Sequence, residues 1–320
     1  MALHPGFPDD PHAILDPAIR WFPADEALRA SSFEKLLPPL VPTLRKEAKA
    51  WRDNRYENAT ETSKSLLRWW FIEQHLLPNA DGTLQEFNYF FAQREALETI
   101  VYLYDAIGVK DKYDLMRFDS SGVVSTGMFD ETWRRFVVKM ATGAGKTKVI
   151  SLVLAWSFFH KLYEPDSTLA RNFLVIAPNI IVLDRIRKDF DGLKIFFHDP
   201  VLPDDGFDGR NWRDDFQLTL HVQDEVRVVR KTGNIFLTNI HRVYAGNESL
   251  PSADDEDAMD YFLGPRPSGA TTDRKVDLGM IVRDIEELVV LNDEAHHIHD
   301  PKMAWFKSMR LSRVQEFRPD

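Results

Sequence analysis

The spacing of hydrophobic and polar residues divides the chain into a helical part and a part in which strands and helices alternate. Before about residue 107, apolar residues recur at helical spacing, which predicts helices over residues 41–52, 62–77 and 90–106. Further along, short apolar runs predict strands at 135–140, 172–177, 218–222, 234–238 and 288–292. Helices are predicted after the first and the second of these strands, at 146–161 and around 182–190. This alternation indicates an α/β fold, in which helices cover both faces of a parallel sheet.

Turn-forming residues mark the limits of these parts. The sequence Asn-Ala-Asp-Gly at 79–82 predicts a turn and a domain boundary. We therefore assign residues 1–85 to a Pro- and Asp-rich arm followed by a small, mainly helical region, and residues 86–320 to one larger domain. Two segments of that domain, 199–215 and 247–275, are rich in Asp, Gly and Pro and predict surface loops or insertions.

Composition narrows the class of protein. Hydrophobic residues make up 44% and charged residues 28% of the 320 residues, as in a soluble globular protein. There is no cysteine, which excludes disulfides and thiolate metal sites, and the N-terminus has no signal-peptide pattern. No apolar stretch is long enough to span a bilayer. We therefore expect a cytoplasmic protein that has no membrane partner.

The net charge of −10 limits how the chain can bind nucleic acid. A protein dominated by nucleic-acid binding has a surplus or a stripe of basic residues. This sequence has 40 basic residues against 50 acidic ones. Any contact with nucleic acid must therefore be local, or be made by parts outside this chain.

A candidate phosphate-binding segment lies at residues 141–147, which read Ala-Thr-Gly-Ala-Gly-Lys-Thr, and we call it the phosphate loop. Its two glycines let the backbone wrap a phosphate chain, Lys146 can reach the β- and γ-phosphates, and the Thr147 hydroxyl can bind Mg²⁺. The general pattern has a glycine where this chain has Met140. A chance Gly-Lys-Thr turn is the alternative, and the apolar strand before the loop and the apolar helix after it argue against that alternative.

An acidic pair comes after the last predicted strand. Asp293 and Glu294 lie beyond an apolar run and Asn292, at the strand end where ligands of open parallel sheets bind. We expect Asp293 to hold Mg²⁺ opposite Thr147, and Glu294 to act as the general base that polarises the attacking water.

A metal site is the competing interpretation of this region. Three histidines and an aspartate cluster there: His296, His297, His299 and Asp300. Zinc sites on helices space their histidines as H-E-x-x-H. The order in this chain is different, and the strand in front of the cluster argues against such a helix.

With both elements in place, the chain resembles superfamily 2 helicases of the DEAD/DEAH type, and most of all the restriction (Res) subunit of type III restriction endonucleases. The resemblance covers about residues 86–320 and depends on Met-Ala-Thr-Gly-Ala-Gly-Lys-Thr at 140–147 and Leu-Asn-Asp-Glu-Ala-His-His at 291–297. It implies a RecA-like P-loop NTPase domain, the first motor domain of an ATP-dependent DNA translocase. ATP and Mg²⁺ are the implied cofactors, and duplex DNA and a DNA methyltransferase (modification) subunit are the implied partners.

The resemblance also implies roles for single residues. The implied nucleotide-binding residues are Gln93, which would read the adenine edge, and Thr142, Gly143, Ala144, Gly145, Lys146 and Thr147. The implied catalytic residues are Lys146, Asp293 and Glu294, and His296 would couple the nucleotide site to movement. The implied nucleic-acid contacts are Pro178, Asn179, Asn239, His241 and Arg242. Alternatively, Gln93 is an ordinary polar residue of a surface helix, and the nucleic-acid segments are ordinary exits from strands.

The chain departs from the family beyond the acidic pair. A motor of this family works between two RecA-like domains, and the second domain supplies an arginine finger. We find neither a second RecA-like domain nor a nuclease pattern before Asp320. Since an arginine finger is worth about 10³–10⁵ in rate, we expect the chain to bind ATP but to hydrolyse it poorly by itself. Two alternatives stay open, a stand-alone ATP-binding module without motor activity and a part of a DEAH-type RNA helicase.

Overall fold

The computed structural model describes residues 39–119, 121–122, 124, 137–141, 143–222, 228–239 and 285–293. The chain forms two compact units, residues 1–144 and 145–320. The division falls inside the phosphate loop, between Ala144 and Gly145.

Over its described residues, the first unit is mainly helical and contains one two-stranded hairpin. Its elements are α1 (Val41–Asp53), α2 (Glu61–Phe71), β1 (His75–Pro78), β2 (Leu84–Phe87), α3 (Phe91–Val101), a π-helical turn (Tyr102–Ala106) and α4 (Lys112–Met116). The helices predicted at 41–52 and 90–106 are confirmed. The second of them ends just before Gly108, whose φ of +60° suits a residue that comes directly after a helix.

The helix predicted over residues 62–77 is wrong in its second half. α2 ends at Phe71, and His75–Pro78 pairs as β1 with β2 in an antiparallel hairpin. The turn predicted at 79–82 is confirmed, since the Asn79 N–H donates to the Thr83 carbonyl at 2.7 Å. Helical spacing could not reveal where the helix ends, because the hairpin depends on hydrogen bonds to a strand that lies beyond the turn.

A buried cluster of polar and charged side chains joins the helices of the first unit. The side chain of Glu98 on α3 is fully buried. One of its oxygens accepts hydrogen bonds from Arg94 Nε and from the Tyr56 hydroxyl, both at 2.7 Å, and the other accepts from Arg52 Nε of α1 at 2.7 Å. Burial raises the pKa of the Tyr56 hydroxyl above its usual value, and the negative charge of Glu98 raises it further. We call these four residues the Glu98 cluster.

The second unit contains a sheet in which each strand is parallel to its neighbours. Its elements are α5 (Lys146–Tyr163), β3 (Asn172–Ala177), α6 (Ile180–Phe190), α7 (Lys194–Phe197), α8 (Trp212–Asp215), β4 (Thr219–Val222), β5 (Asn234–Asn239) and β6 (Val289–Asn292). The strand order is β4-β5-β3-β6. β3 and β5 are buried over nearly their whole length, as expected for strands with both faces covered. The predicted α/β fold is confirmed. Over the described ranges, no helix is long and apolar enough to cross a membrane.

The strand predicted over residues 135–140 is not found where the structure describes that segment. Residues 137–141 have no regular secondary structure, and Val137 and Val138 are 54% and 41% exposed. A short apolar run becomes a strand only when a neighbouring strand takes up its hydrogen bonds. A sequence pattern does not show whether that neighbour is available.

The surface loop predicted over residues 199–215 is only partly at the surface, because residues 200–203 and Trp212 are buried while residues 204–206, 208, 209, 211 and 214 are exposed. Val201 and Trp212 are completely buried. The Trp212 ring packs edge-on against Phe159 of α5, with 4.8 Å between the ring centroids, and its Nε1 donates to a backbone carbonyl at 2.7 Å. The large apolar surface of one tryptophan outweighs the polar composition of its neighbours. The segment 247–275 lies outside the described residues.

Asn234 ties three neighbouring strands together near the amino end of β5. Its side-chain oxygen accepts a hydrogen bond from His221 Nε2 of β4, and its side-chain nitrogen donates to the Asn172 side-chain oxygen of β3, both at 2.9 Å. Asn234 and His221 are buried, so water does not compete for these bonds. They hold β4, β5 and β3 in register.

We predict that Gly233→Ala destabilises the protein by about 1–3 kcal/mol, because the added methyl group has no room. Gly233 has a φ of +154°, and a Cβ atom there would lie 2.7 Å from the Arg171 carbonyl oxygen and 2.6 Å from Leu218 Cδ2. Urea unfolding measures the loss.

Gly206→Ala is the matched control, since Gly206 also has a positive φ, +92°, but a Cβ there would meet nothing within 4 Å. If both variants lose the same stability, the backbone angle sets the cost and the close contact does not.

Candidate functional site

Two glycines in the left-handed region give the phosphate loop its shape. Gly143 has a φ of +81° and Gly145 a φ of +78°, angles that a residue with a Cβ adopts only at a cost. Between them, the Ala144 N–H donates to the Ala141 carbonyl at 3.2 Å, which closes a turn. A Cβ at Gly143 would meet nothing within 4 Å. The backbone angle, and not crowding, therefore requires glycine at that position.

Gly145 is also the N-cap residue of α5. Its carbonyl accepts hydrogen bonds from the Lys148 and Val149 N–H groups at 3.0 and 3.3 Å, so Lys146 and Thr147 lie in the first turn. The first N–H groups of a helix have no acceptor inside the helix, and they carry the positive end of its dipole. Most of α5 beyond this turn is buried. The loop is therefore carried by a helix that the core holds in place, and the start of that helix suits a phosphate group.

The carboxyl ends of three strands coincide at one edge of the sheet. Ala177 of β3 pairs with Asn239, the last residue of β5. On the other side of β3, Ile176 pairs with Asn292, the last residue of β6, and the Asp293 N–H donates to the Ile176 carbonyl at 3.0 Å. Asp293 thus extends the ladder by one residue and lies level with Ala177. Ligands of open α/β sheets bind at this edge.

Asp293 is buried at this edge, and a cation lies near it. The residue is 3% exposed, and its Oδ2 lies 4.0 Å from Nη2 of Arg185 on α6, whose side chain is 61% exposed. The sequence did not point to Arg185, because this contact joins two elements that are far apart in the chain.

The two predicted magnesium ligands suit that ion chemically. Thr147 offers a hydroxyl oxygen and Asp293 a carboxylate oxygen, and Mg²⁺ prefers such hard oxygen ligands. In the part of the chain that the structure describes, no group of three or more histidine, aspartate or glutamate side chains could hold a metal ion. The rival histidine cluster lies at residues 296–300, outside the described residues.

Gln93 on α3 is hydrogen-bonded to the phosphate loop within the first unit. Its Oε1 accepts from the Phe90 N–H at 2.9 Å, which caps the start of α3. Its Nε2 donates to the Ala144 carbonyl at 3.2 Å. Gln93 is only 5% exposed, and this burial does not fit an ordinary residue on the surface of a helix. The two bonds hold the side-chain amide beside the loop.

The predicted nucleic-acid residues differ in exposure. Asn179 is exposed and is the N-cap of α6, since its Oδ1 accepts from the Val182 N–H at 3.0 Å. Pro178, before it, is half-buried. Asn239 is 3% exposed, so a phosphate could reach its side chain only if the covering residues moved. Pro178 and Asn179 are therefore the better candidates for a contact at this edge.

The remaining predicted site residues lie outside the described residues. They are Thr142, His241, Arg242, Glu294 and His296. Their roles in nucleotide binding, nucleic-acid contact, hydrolysis and coupling stay predictions.

The fold and the site together define a class of protein. A parallel sheet with a buried aspartate at its carboxyl edge, and a glycine loop that opens a buried helix, are the parts of a P-loop nucleotide-binding domain. The sequence model of one family, described as the type III restriction enzyme, res subunit (ResIII), matches residues 86–316. The match covers well over half of the chain, and the chain belongs to this family, whose domain is RecA-like and whose members are of the ATPase and helicase type. No match was found among curated proteins or among solved structures.

We predict that Asn179→Ala destabilises the protein by about 1 kcal/mol, because the Val182 N–H loses its capping oxygen. Asn179→Asp keeps that oxygen and should stay within about 0.5 kcal/mol of the wild type. Urea unfolding of both variants measures the difference. If the aspartate variant loses as much stability as the alanine variant, the capping hydrogen bond does not account for the stability that Asn179 contributes.

Proposed function

We propose that this chain is the ATP-binding and ATP-hydrolysing part of a DNA translocase, the restriction subunit of a type III-like restriction–modification system. The observation that carries the proposal is the phosphate loop, in which two left-handed glycines open a buried helix in a chain of the res-subunit family. A triphosphate is bound by the start of a helix and by a lysine, and the loop supplies both.

Each residue of the site has a chemical task in this proposal. Lys146 neutralises the β- and γ-phosphates. Thr147 and Asp293 hold Mg²⁺, which when bound neutralises the charge that develops on the phosphates. Glu294, directly after the buried Asp293, accepts the proton of the attacking water as general base.

Gln93 is the residue that we propose reads the base. A glutamine amide offers one donor and one acceptor in the spacing of adenine N7 and N6. The bonds of Gln93 to Phe90 and Ala144 hold its amide next to Ala144 of the loop. Since Gln93 is 5% exposed, adenine would reach this amide only after the covering residues moved. ATP is therefore the nucleotide that we propose for the site.

The proposed contact with duplex DNA is local. With a net charge of −10, the chain has no overall attraction for a polyanion. Asn179 and Pro178 come after the carboxyl end of β3, so DNA bound there would lie at the same edge of the sheet as Asp293. We propose duplex DNA and a DNA methyltransferase subunit as partners, which is what the resemblance to the Res subunit implies.

We predict that Lys146→Ala weakens ATP binding by about 100-fold or more, because the phosphates lose their principal cation. The fold should stay intact, since Lys146 is half-buried at the start of α5 rather than in the core. Glu294→Gln should bind ATP normally but not hydrolyse it, because an amide cannot accept the proton of the water. Binding is measured by calorimetry and turnover by phosphate release.

Lys148→Ala is the matched control for charge. Lys148 lies one half-turn further along α5 and is ion-paired with Asp199, and its removal should leave ATP binding within about twofold of the wild type. Normal ATP affinity in the Lys146 variant would remove the basis of the proposed function.

We predict that the chain binds duplex DNA more tightly than duplex RNA of the same sequence, with a shallow salt dependence. A local contact involves few phosphates, so the slope of log K against log salt should be no steeper than about −3. Fluorescence anisotropy at several salt concentrations measures both quantities. Asn179→Asp should weaken binding, because it places a carboxylate next to phosphates while keeping the cap. Tighter binding of RNA would favour an RNA helicase, and no binding of either would favour a stand-alone module.

A further inference from the structure

Helix α3 carries Gln93 on one face and its ion pairs with α1 on the opposite face. Successive residues of an α-helix are rotated by about 100°, which places Glu95 and Glu98 roughly 200° and 140° around the axis from Gln93. Glu95 bonds Arg45 of α1 at 2.8 Å, and Glu98 bonds Arg52 of α1. α1 therefore supports α3 from the side opposite to Gln93.

These contacts between α1 and α3 are largely shielded from water. The Glu98 side chain is fully buried, and the Arg52 side chain is 20% exposed. A guanidinium group donates in a rigid, planar arrangement, so its bonds to a carboxylate fix the angle as well as the distance between the two helices. Tyr56 adds a third direction from which the same carboxylate is held.

The residue next to Gln93 belongs to the same cluster. Arg94 donates to Glu98 at 2.7 Å and to the Tyr56 hydroxyl at 3.2 Å, and its guanidinium lies 5.2 Å from the centre of the Phe71 ring of α2. The first turn of α3 is thus fixed by residues of α1, α2 and the segment between them. A displacement of the cluster would move Gln93 with it.

We infer that the Glu98 cluster is a positioning device for Gln93, through which the helices before residue 72 set the base selectivity of the nucleotide site. Arg52, Tyr56 and Glu98 are positioning residues, since they act through Gln93. The inference rests on the proposed contact of Gln93 with adenine. It gives a role in nucleotide recognition to a part of the chain that lies before the family match, which begins at residue 86.

Base selectivity is the property that such a displacement would change. Guanine presents two acceptors, N7 and O6, where adenine presents an acceptor and a donor. An amide oxygen accepts two hydrogen bonds and an amide nitrogen donates two, so the bonds to Phe90 and Ala144 orient the Gln93 amide without by themselves excluding a base. Hydrogen bonds weaken steeply with poor geometry. A shifted α3 would therefore lower the affinity for ATP and leave the affinity for GTP nearly unchanged.

The test compares the binding of fluorescent ATP and GTP analogues by the 320-residue chain and its variants. Arg52→Lys keeps the charge but loses the planar pair of donors, and Glu98→Gln keeps the shape but loses the charge. In both variants we expect the ratio of ATP to GTP affinity to fall about three- to tenfold, with GTP affinity within about twofold of the wild type. Tyr56→Phe, which removes one bond to Glu98, decides the question together with Arg52→Lys if Glu98→Gln does not fold.

Lys49→Ala is the matched control on α1. It breaks the exposed ion pair of Lys49 and Asp53 on the same helix and should leave the ratio unchanged. A ratio that stays at the wild-type value in folded cluster variants overturns the inference. So does an equal loss of ATP and GTP affinity, which would mean that the cluster only supports the fold.

Gln93→Ala separates this inference from the proposed function. We expect it to lower the ratio of ATP to GTP affinity by about tenfold. If Gln93→Ala does not change the ratio, the proposed adenine contact is wrong, and the positioning role falls with it. If Gln93→Ala lowers the ratio and the folded cluster variants do not, only the positioning role is overturned.

Discussion

The parallel ladder of β5, β3 and β6 is the constraint on which the placement of the site depends. Parallel strands end at the same edge, and the register of these three brings Asn239, Ala177 and Asp293 to one level. A slip of one residue would turn Asp293 to the other face of the sheet. The bonds of Asn234 to His221 and Asn172 oppose such a slip between β4, β5 and β3. The register of the strands therefore determines the position of Asp293 at this edge of the sheet.

The interactions that stabilise the first unit differ in kind from those that stabilise the second. In the second unit, apolar packing dominates, with α5 buried along most of its length and Trp212 set against Phe159. In the first unit, the Glu98 cluster joins the helices. A buried ion pair adds little net stability compared with apolar residues of the same volume, because its charges lose their hydration. Its directional bonds, however, define one relative orientation of the helices, and this is useful where a glutamine has to be placed.

The sequence predicted those elements whose own residues determine them. The strand at 172–177 was placed correctly because the five consecutive apolar residues at 173–177 suit a strand with both faces covered. The phosphate loop was recognisable because its glycines, lysine and threonine serve one ligand at fixed spacing. The family match to residues 86–316 confirms the resemblance that these residues carried.

The features that the sequence did not reveal depend on partners far along the chain. The hairpin after Phe71 needs β2, and the burial of Trp212 needs the aromatic face of α5. The apolar residues at 137–138 suit a strand but are exposed in the structure. Arg185 and the Glu98 cluster belong to the same group, since nothing in a local pattern tells an arginine on a helix which carboxylate it will contact.

The pairing of β6 with β3 also has a consequence for how the chain is made. Val289 of β6 pairs with Phe173 of β3, so the ribosome adds 116 residues (289 − 173) after Phe173 to complete the pair. At a synthesis rate of about 5–20 residues per second, this edge of β3 stays unpaired for roughly 6–23 s before β6 is complete. An unpaired edge can capture a strand of another nascent chain. Among the described strands β6 is synthesised last, and Asp293 arrives with it, so a new chain acquires this carboxylate only as the edge becomes protected.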